Sequence, residues 1–461
     1  MKMITRRGLF LLILIVGFLG CLGFLTYSLI ADGRDWAMQP YNSSVYYNGE
    51  LTAAGTITDC DGEILAQTVD SKRVYNEDEN IRKATLHTVG EAGFISTGVQ
   101  NVFEAKLTGY NVLTGIYNAM GDKSNDMELT IDADVCATAY KALKNYKAGC
   151  VGVVNYKTGD LVCMVSTPTY DIENKPSDIN DEDNEEYQGV YINRLLSGLY
   201  TPGSTFKIVT AICAIENIDD IYDRTFTCEG EYDAGGTPIE CNAYHGKITF
   251  EEALAKSCNS AFAQIAIELG PEKLAATAKQ LGLTTPVTVS GDIESSTGRF
   301  FLEKGDANDY VGWTGIGQGD TLVSPVAMLR LVSAIANDGK AVSFNVVDSL
   351  ANKAGKALDL DFTRRETQLL SVETADAIGK LMRNNVKEQY GDYNYEGLNL
   401  CAKSGTAQID SVDSHNTAWF VGFMDDDKNP YAFVVVVEYG NSGSRTAGPI
   451  ANKVLQALVN D

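Results

Sequence analysis

The chain is poor in the residues that announce a metal centre by their spacing. It has three histidines, and none of its ten cysteines forms a C-x-x-C pair. Zinc-finger spacing is therefore missing, and no metal site is expected. Positive charge is also scarce: 37 Lys and Arg stand against 61 Asp and Glu, a net charge of −24. Such a surface repels polyanions, so nucleic acid is not an expected partner. Solubility alone accounts for the same imbalance. Nothing reads as collagen, a repeat array or wholesale disorder. With 44% hydrophobic and 21% charged residues, the composition is that of a globular protein. At 461 residues the chain has room for one large domain and one or two smaller ones.

Charge is missing altogether from residues 8–30, which are almost all apolar. A run of that length can cross a bilayer as a helix. Lys2, Arg6 and Arg7 precede it, and Asp32, Arg34 and Asp35 follow. The positive flank predicts a cytoplasmic tail at 1–7 and an extracytoplasmic remainder. A cleaved signal would have a shorter apolar core and a small-residue cleavage site, and Leu29-Ile30-Ala31 is a poor one. Cys21 after Gly20 could suit lipidation, but the apolar run continues past it. Nine cysteines then lie outside the span, so at least one thiol is unpaired or intermolecular. Cys228 and Cys241 bracket a Gly-rich stretch and could pair. A buried free thiol is the default for cysteine elsewhere.

Residues 31–145 read as a juxtamembrane linker followed by a small α+β module. Within it, 55–66 forms a hairpin about Asp61-Gly62, 128–132 a short strand, and 134–146 a helix with Val135, Ala139 and Leu143 on one face. Residues 146–461 read as the main domain. Strands are expected at 150–155 and 161–165, then an acidic loop at 178–186 whose only apolar residue is Ile179. Helices follow at 204–216, 254–269 and 325–337, strands at 417–423 and 431–438, and a closing helix at 450–459. Four consecutive valines mark 431–438 as a buried central strand. Strands at both ends with helices between them predict an α+β fold, an antiparallel sheet carrying helices.

The chemistry centres on Pro202-Gly203-Ser204-Thr205-Phe206-Lys207. Pro and Gly make a turn, and a helix starting at Ser204 places its hydroxyl near the positive end of the helix dipole. Lys207, three residues on, shares its face. A serine needs an adjacent base to attack, and a desolvated lysine amine can serve. An S-x-x-K string alone is equally a helix N-cap with a solvated lysine. Here Ile208, Val209, Ala211 and Ile212 bury the helix, which weakens that alternative.

Penicillin-interactive enzymes add S-x-N and K-[ST]-G to this motif. S-x-N occurs at Ser257-Cys258-Asn259, Ser343-Phe344-Asn345 and Ser414-His415-Asn416. Only the first follows a helical stretch and precedes another apolar helix, so Ser257 is the expected proton relay and Asn259 the holder of a substrate amide. K-[ST]-G occurs at Lys157-Thr158-Gly159, which reads as a hairpin turn, and at Lys403-Ser404-Gly405 before Thr406. The second suits an edge strand lining a cleft. Lys403 would offer a cation to a substrate carboxylate, Ser404 and Thr406 hydroxyls, and Gly405 close approach of a substrate backbone. The backbone N–H groups of Ser204 and Thr406 would form an oxyanion hole.

With these motifs in order, the chain resembles the class B penicillin-binding proteins, monofunctional D,D-transpeptidases of peptidoglycan. The likeness extends from about residue 53 to the C-terminus. It includes Gly55-Thr56-Ile57-Thr58-Asp59 of the pedestal module, Pro168-Thr169-Tyr170-Asp171, Asn193-Arg194, Gly315-Ile316-Gly317-Gln318-Gly319 and Ala418-Trp419-Phe420-Val421-Gly422. Ala54 stands where the pedestal usually has Arg, and Thr201 where Pro is common. The resemblance implies the penicillin-binding transpeptidase fold, which is serine β-lactamase-like, with a pedestal and one transmembrane helix. It implies attack by Ser204 on the penultimate D-Ala carbonyl of a stem peptide, with Lys207 as base. β-Lactams would acylate the same serine, and no metal or organic cofactor is implied. A separate glycosyltransferase and other wall-synthesis membrane proteins are the implied partners. A D,D-carboxypeptidase, a β-lactamase or β-lactam sensor, and a non-catalytic wall scaffold are the alternatives.

Overall fold

A computed structural model describes residues 6–116, 123–360, 362–408 and 415–460. Lys2 and most of the expected tail lie outside the described residues, as does Ser414. Helix Arg6–Ala37 contains the apolar run, with its large apolar side chains exposed. It is long and apolar enough to cross a membrane once.

Two five-stranded sheets organise the rest. The larger is antiparallel throughout. Its order is Leu400–Ala407, Thr417–Met424, Tyr431–Glu438, Ala148–Asn155, Leu161–Thr167. The strand with the four valines lies at its centre, and residues 432–437 are buried. Each buried valine contributes about 1.5 kcal/mol or more to folding. Both faces of that strand are covered. Helix Pro325–Ala336 packs on it, and helices Ala133–Leu143 and Gly448–Asn460 pack on each other and on the sheet. Leu400–Ala407 is an edge strand, as expected. Lys157-Thr158-Gly159 forms the turn between two sheet neighbours, with Gly159 at φ 83°.

The smaller sheet belongs to the pedestal. Strand Ile57–Thr58 pairs antiparallel with Ile64–Val69 and parallel with Asn125–Leu129. The last lies a few residues before the expected strand, because pairing in this sheet sets its limits. One edge strand, Val347–Asn352, comes from far along the chain. The two modules therefore share elements across the expected 145/146 boundary. Helix Ala133–Leu143 packs both on helix Glu79–Val89 and on the large sheet.

Ion pairs join the modules as well. Arg82 of the pedestal helix Glu79–Val89 meets Asp171 in a two-point contact at 2.6 and 2.8 Å. Lys175 meets Glu91 at 2.7 Å. Where the pedestal has Ala54 instead of arginine, the Arg73 guanidinium reaches the carbonyls of Ala54 and Gly55, at 3.2 and 2.7 Å. In the acidic loop, Ile179 is buried against Leu86, Ile95, Tyr170 and Val190, which anchors an otherwise solvated excursion.

Candidate active site

Gly203 opens the site. Its φ of +54° turns the chain into a 3₁₀ turn, Gly203–Phe206, and the α-helix Lys207–Asn217 follows. Ser204 thus sits one turn ahead of the α-helix, not at its first residue. A Cβ on Gly203 would lie 2.7 Å from the Thr406 carbonyl oxygen, and one on Gly405 would lie 2.7 Å from that of Pro202. Glycine at both positions lets the edge strand lie directly against the Ser204 turn. The Gly203 N–H donates to the Gly317 carbonyl at 2.9 Å, tying in the glycine-rich segment 315–319.

Ser257 stands at a break. A capping box between Thr249 and Glu252 starts helix Phe250–Ala255. The chain then turns at Ser257, with φ +53°, and a new helix, Asn259–Leu269, starts behind Cys258 as its N-cap. The motif thus lies between two helices, as its flanking patterns predicted, while the helix expected over 254–269 begins only at Asn259. A non-glycine residue in this left-handed conformation is uncommon and is held by its surroundings.

The three motifs meet around two buried amines. Lys207 Nζ lies 3.2 Å from Ser204 Oγ, 3.3 Å from Ser257 Oγ, 2.6 Å from the Ser257 carbonyl and 2.6 Å from Asn259 Oδ1. Lys403 Nζ donates to Ser257 Oγ at 3.0 Å and to the Ser404 carbonyl at 2.9 Å. Both lysines are fully buried. Burial lowers the Lys207 amine to about 8, because the charged form loses its water. Burial lowers Lys403 too, and the nearby charge of Lys207 pushes it the same way.

Ser404 and Thr406 alternate outward on the edge strand, while Lys403 and Gly405 are buried. The Ser404 N–H donates to the Tyr390 hydroxyl at 2.8 Å, so it points away from the neighbouring strand. By the two-residue alternation, the Thr406 N–H points the same way. The N–H of Ser204 lies in the first turn of its helical segment, where backbone donors have no intrahelical acceptor. The expected oxyanion donors thus flank one opening.

That opening is a cleft of about 410 Å³. Ser204, Ser257, Asn259, Ser404 and Thr406 line it. All eight expected site residues, 204, 207, 257, 259 and 403–406, are brought together here. Two differ in detail from the sequence reading. Lys403 does not line the cleft, and its charge reaches it through Ser257. Asn259 is already engaged at both ends, its Oδ1 by Lys207 and its Nδ2 by the Glu240 carbonyl at 2.8 Å. Sequence reasoning missed Tyr390, which also lies 3.0 Å from Ser404 Oγ. It missed Asn416 as well, whose buried Oδ1 has no partner among the described residues and which lines the cleft. Its Ser414-His415-Asn416 string was visible, but the third S-x-N offered no ordering signal.

The penicillin binding protein transpeptidase domain model matches residues 149–456. The chain belongs to that family. It is 27% identical to peptidoglycan D,D-transpeptidase PbpA of Mycolicibacterium smegmatis, with 95% of each chain covered. It is 26% identical to stage V sporulation protein D of Bacillus subtilis over 86% of this chain and 66% of that one. Among solved structures, the D,D-transpeptidase domain of a peptidoglycan glycosyltransferase from Eggerthella lenta superposes with a TM-score of 0.74 at 25% identity. That match covers 88% of this chain and 98% of the other. The penicillin G acyl-enzyme complex of penicillin-binding protein A from M. tuberculosis shares the fold, at 23% identity and TM-score 0.75, with coverage of 88% and 99%.

A second cluster lies behind the S-x-N motif. Cys228, Cys241, His245 and Cys258 bring their ligand atoms within 4.8 Å of one another. The pairing considered for Cys228 and Cys241 is not made, since all ten cysteines are free thiols. No C-x-x-C spacing marks this group, because Cys228 ends a strand, Cys241 and His245 share a loop, and Cys258 caps a helix.

Proposed function

We propose that this chain is a membrane-anchored D,D-transpeptidase that crosslinks peptidoglycan stem peptides through an acyl-enzyme on Ser204. The observation that carries the proposal is the buried Lys207 amine, in reach of both Ser204 Oγ and Ser257 Oγ. Its lowered pKa leaves about one amine in ten neutral at pH 7, against a few in ten thousand for an ordinary lysine.

The geometry supports the following sequence. Neutral Lys207 takes the Ser204 proton as Oγ attacks the penultimate D-Ala carbonyl. The N–H groups of Ser204 and Thr406 receive the developing oxyanion. Ser257, between the two amines, passes the proton to the departing D-Ala nitrogen, and an ester remains on Ser204. An amine from a neighbouring stem then attacks that ester, and its proton returns to Ser204 by the same route. Ser404 and Thr406 hydroxyls, with the Lys403 charge below them, bind the terminal carboxylate. β-Lactams acylate Ser204 by the same steps, and the ring-opened product stays attached.

The long apolar helix supports membrane anchoring, with Arg6 and Arg7 on the cytoplasmic side and the cleft outside. There the enzyme would act on strands made by a glycosyltransferase partner and other wall-synthesis membrane proteins. The test is a stem pentapeptide with an acceptor amine. D-Ala release together with a crosslinked product supports transpeptidation. Release with water as the only acceptor would make the chain a carboxypeptidase.

A further inference from the structure

We propose that Cys228, Cys241, His245 and Cys258 bind one structural Zn²⁺, which fixes the Ser257-Cys258-Asn259 motif beside Lys207. Sγ of Cys228 and of Cys241 lie 3.5 and 3.6 Å from His245 Nδ1, and Sγ of Cys241 lies 3.8 Å from that of Cys258. Zinc in a tetrahedron of three thiolates and one imidazole requires ligand-to-ligand edges of about 3.8 Å (S to S) and about 3.6 Å (S to N). These three edges match those values, and all four ligand atoms lie within 4.8 Å of one another. A disulfide needs its sulfurs at about 2.05 Å, far inside the Cys241–Cys258 separation. Three soft thiolates with one imidazole are a donor set that selects zinc over harder cations.

The backbone is arranged around the sulfurs. The Asn259 N–H points at Cys241 Sγ at 3.3 Å, and the Ala261 N–H at Cys258 Sγ at 3.4 Å. Donors of this kind stabilise ligating thiolates. Strands Thr225–Cys228 and Gly246–Thr249 pair with Cys228 opposite Gly246, which brings His245 beside the first cysteine. The Cys241 N–H donates to the Gly230 carbonyl at 2.8 Å, closing the intervening glycine-rich loop on itself. Cys241 and His245 are partly exposed, so an ion has a path in.

The fourth ligand gives the cluster its meaning. Cys258 is the middle residue of the catalytic motif, directly after the left-handed Ser257 and directly before Asn259. Glu240, next to Cys241, accepts from Asn259 Nδ2 and so orients the amide that meets Lys207. A metal joining Cys241 to Cys258 locks these contacts together. With four protein ligands the site is closed, so the metal positions residues and leaves the chemistry to Ser204.

The test uses the full chain, purified in detergent under reducing conditions without chelator. Elemental analysis should find one zinc per chain, retained in Cys60→Ser and lost in Cys228→Ser and His245→Ala. Cobalt(II) loaded into zinc-free wild type should give the intense visible bands of tetrahedral thiolate coordination, a readout that needs no variant to fold. Removing zinc should slow penicillin acylation at least about tenfold, with recovery on adding Zn²⁺. Wild-type protein with no stoichiometric metal, or with a Cys228–Cys241 disulfide by mass, overturns the site. An unchanged acylation rate without zinc overturns the positioning role. The metal measurements do not depend on whether the enzyme crosslinks stems.

Discussion

At the scale of single residues, the proposed base is Lys207. Moving its amine from an ordinary 10.5 to about 8 raises the neutral fraction at pH 7 roughly 300-fold. The cause is burial, so the base is made by packing. Below pH 8 the neutral amine falls about tenfold per unit, and the acylation rate should fall with it. Stopped-flow measurement of penicillin acylation from pH 6 to 9 should show a slope near one that flattens above about 8. Lys207→Arg should lower the rate at least about a hundredfold and abolish that slope. A flat wild-type profile would assign the base to another group. The Lys403 amine ends on Ser257 Oγ and does not line the cleft, so its influence there passes through that hydroxyl.

At the scale of elements, the edge strand and the Ser204 turn form one unit. Gly203 and Gly405 are the contact points, each with a carbonyl oxygen 2.7 Å from where a Cβ would be. Gly405→Val should slow acylation at least tenfold by pushing the strand from the turn, and Gly203→Ala should add strain of about 1–3 kcal/mol. Thermal unfolding and acylation kinetics would check both. Normal kinetics in Gly405→Val would mean that the strand need not sit so close. The main strands and helices here were legible in sequence because their apolar patterns match what they bury. The four valines at 434–437 marked a central strand, and it is central. Local pattern failed where distant contacts decide. The helix expected over 254–269 begins only at Asn259, because the Ser257 carbonyl and hydroxyl both serve Lys207. Tyr390 sits in a turn after helix Val372–Asn385, and only the fold brings its hydroxyl to Ser404. The Cys228 cluster was hidden for the same reason, its ligands coming from a strand end, a loop and a helix N-cap.

Across the whole molecule, the pedestal and the catalytic domain are joined by a shared strand and by partly buried ion pairs. Arg82 holds Asp171 at two points and lowers its carboxyl to about 2. The folded pKa lies below the unfolded one, so the pair contributes fully above about pH 4 and its contribution fades as pH falls toward 2. Asp171→Ala should cost about 1–3 kcal/mol at pH 7 and progressively less in acid. Urea unfolding of both proteins at pH 7 and pH 3 would show the gap narrowing. A constant gap would trace the loss to packing. The measurement that bears most directly on the enzyme as a whole is the mass of the intact protein after incubation with penicillin. It should rise by one opened drug molecule, held on the peptide that carries Ser204, and Ser204→Ala should gain nothing. Acylation that persists in Ser204→Ala, or that maps to another residue, would contradict the account.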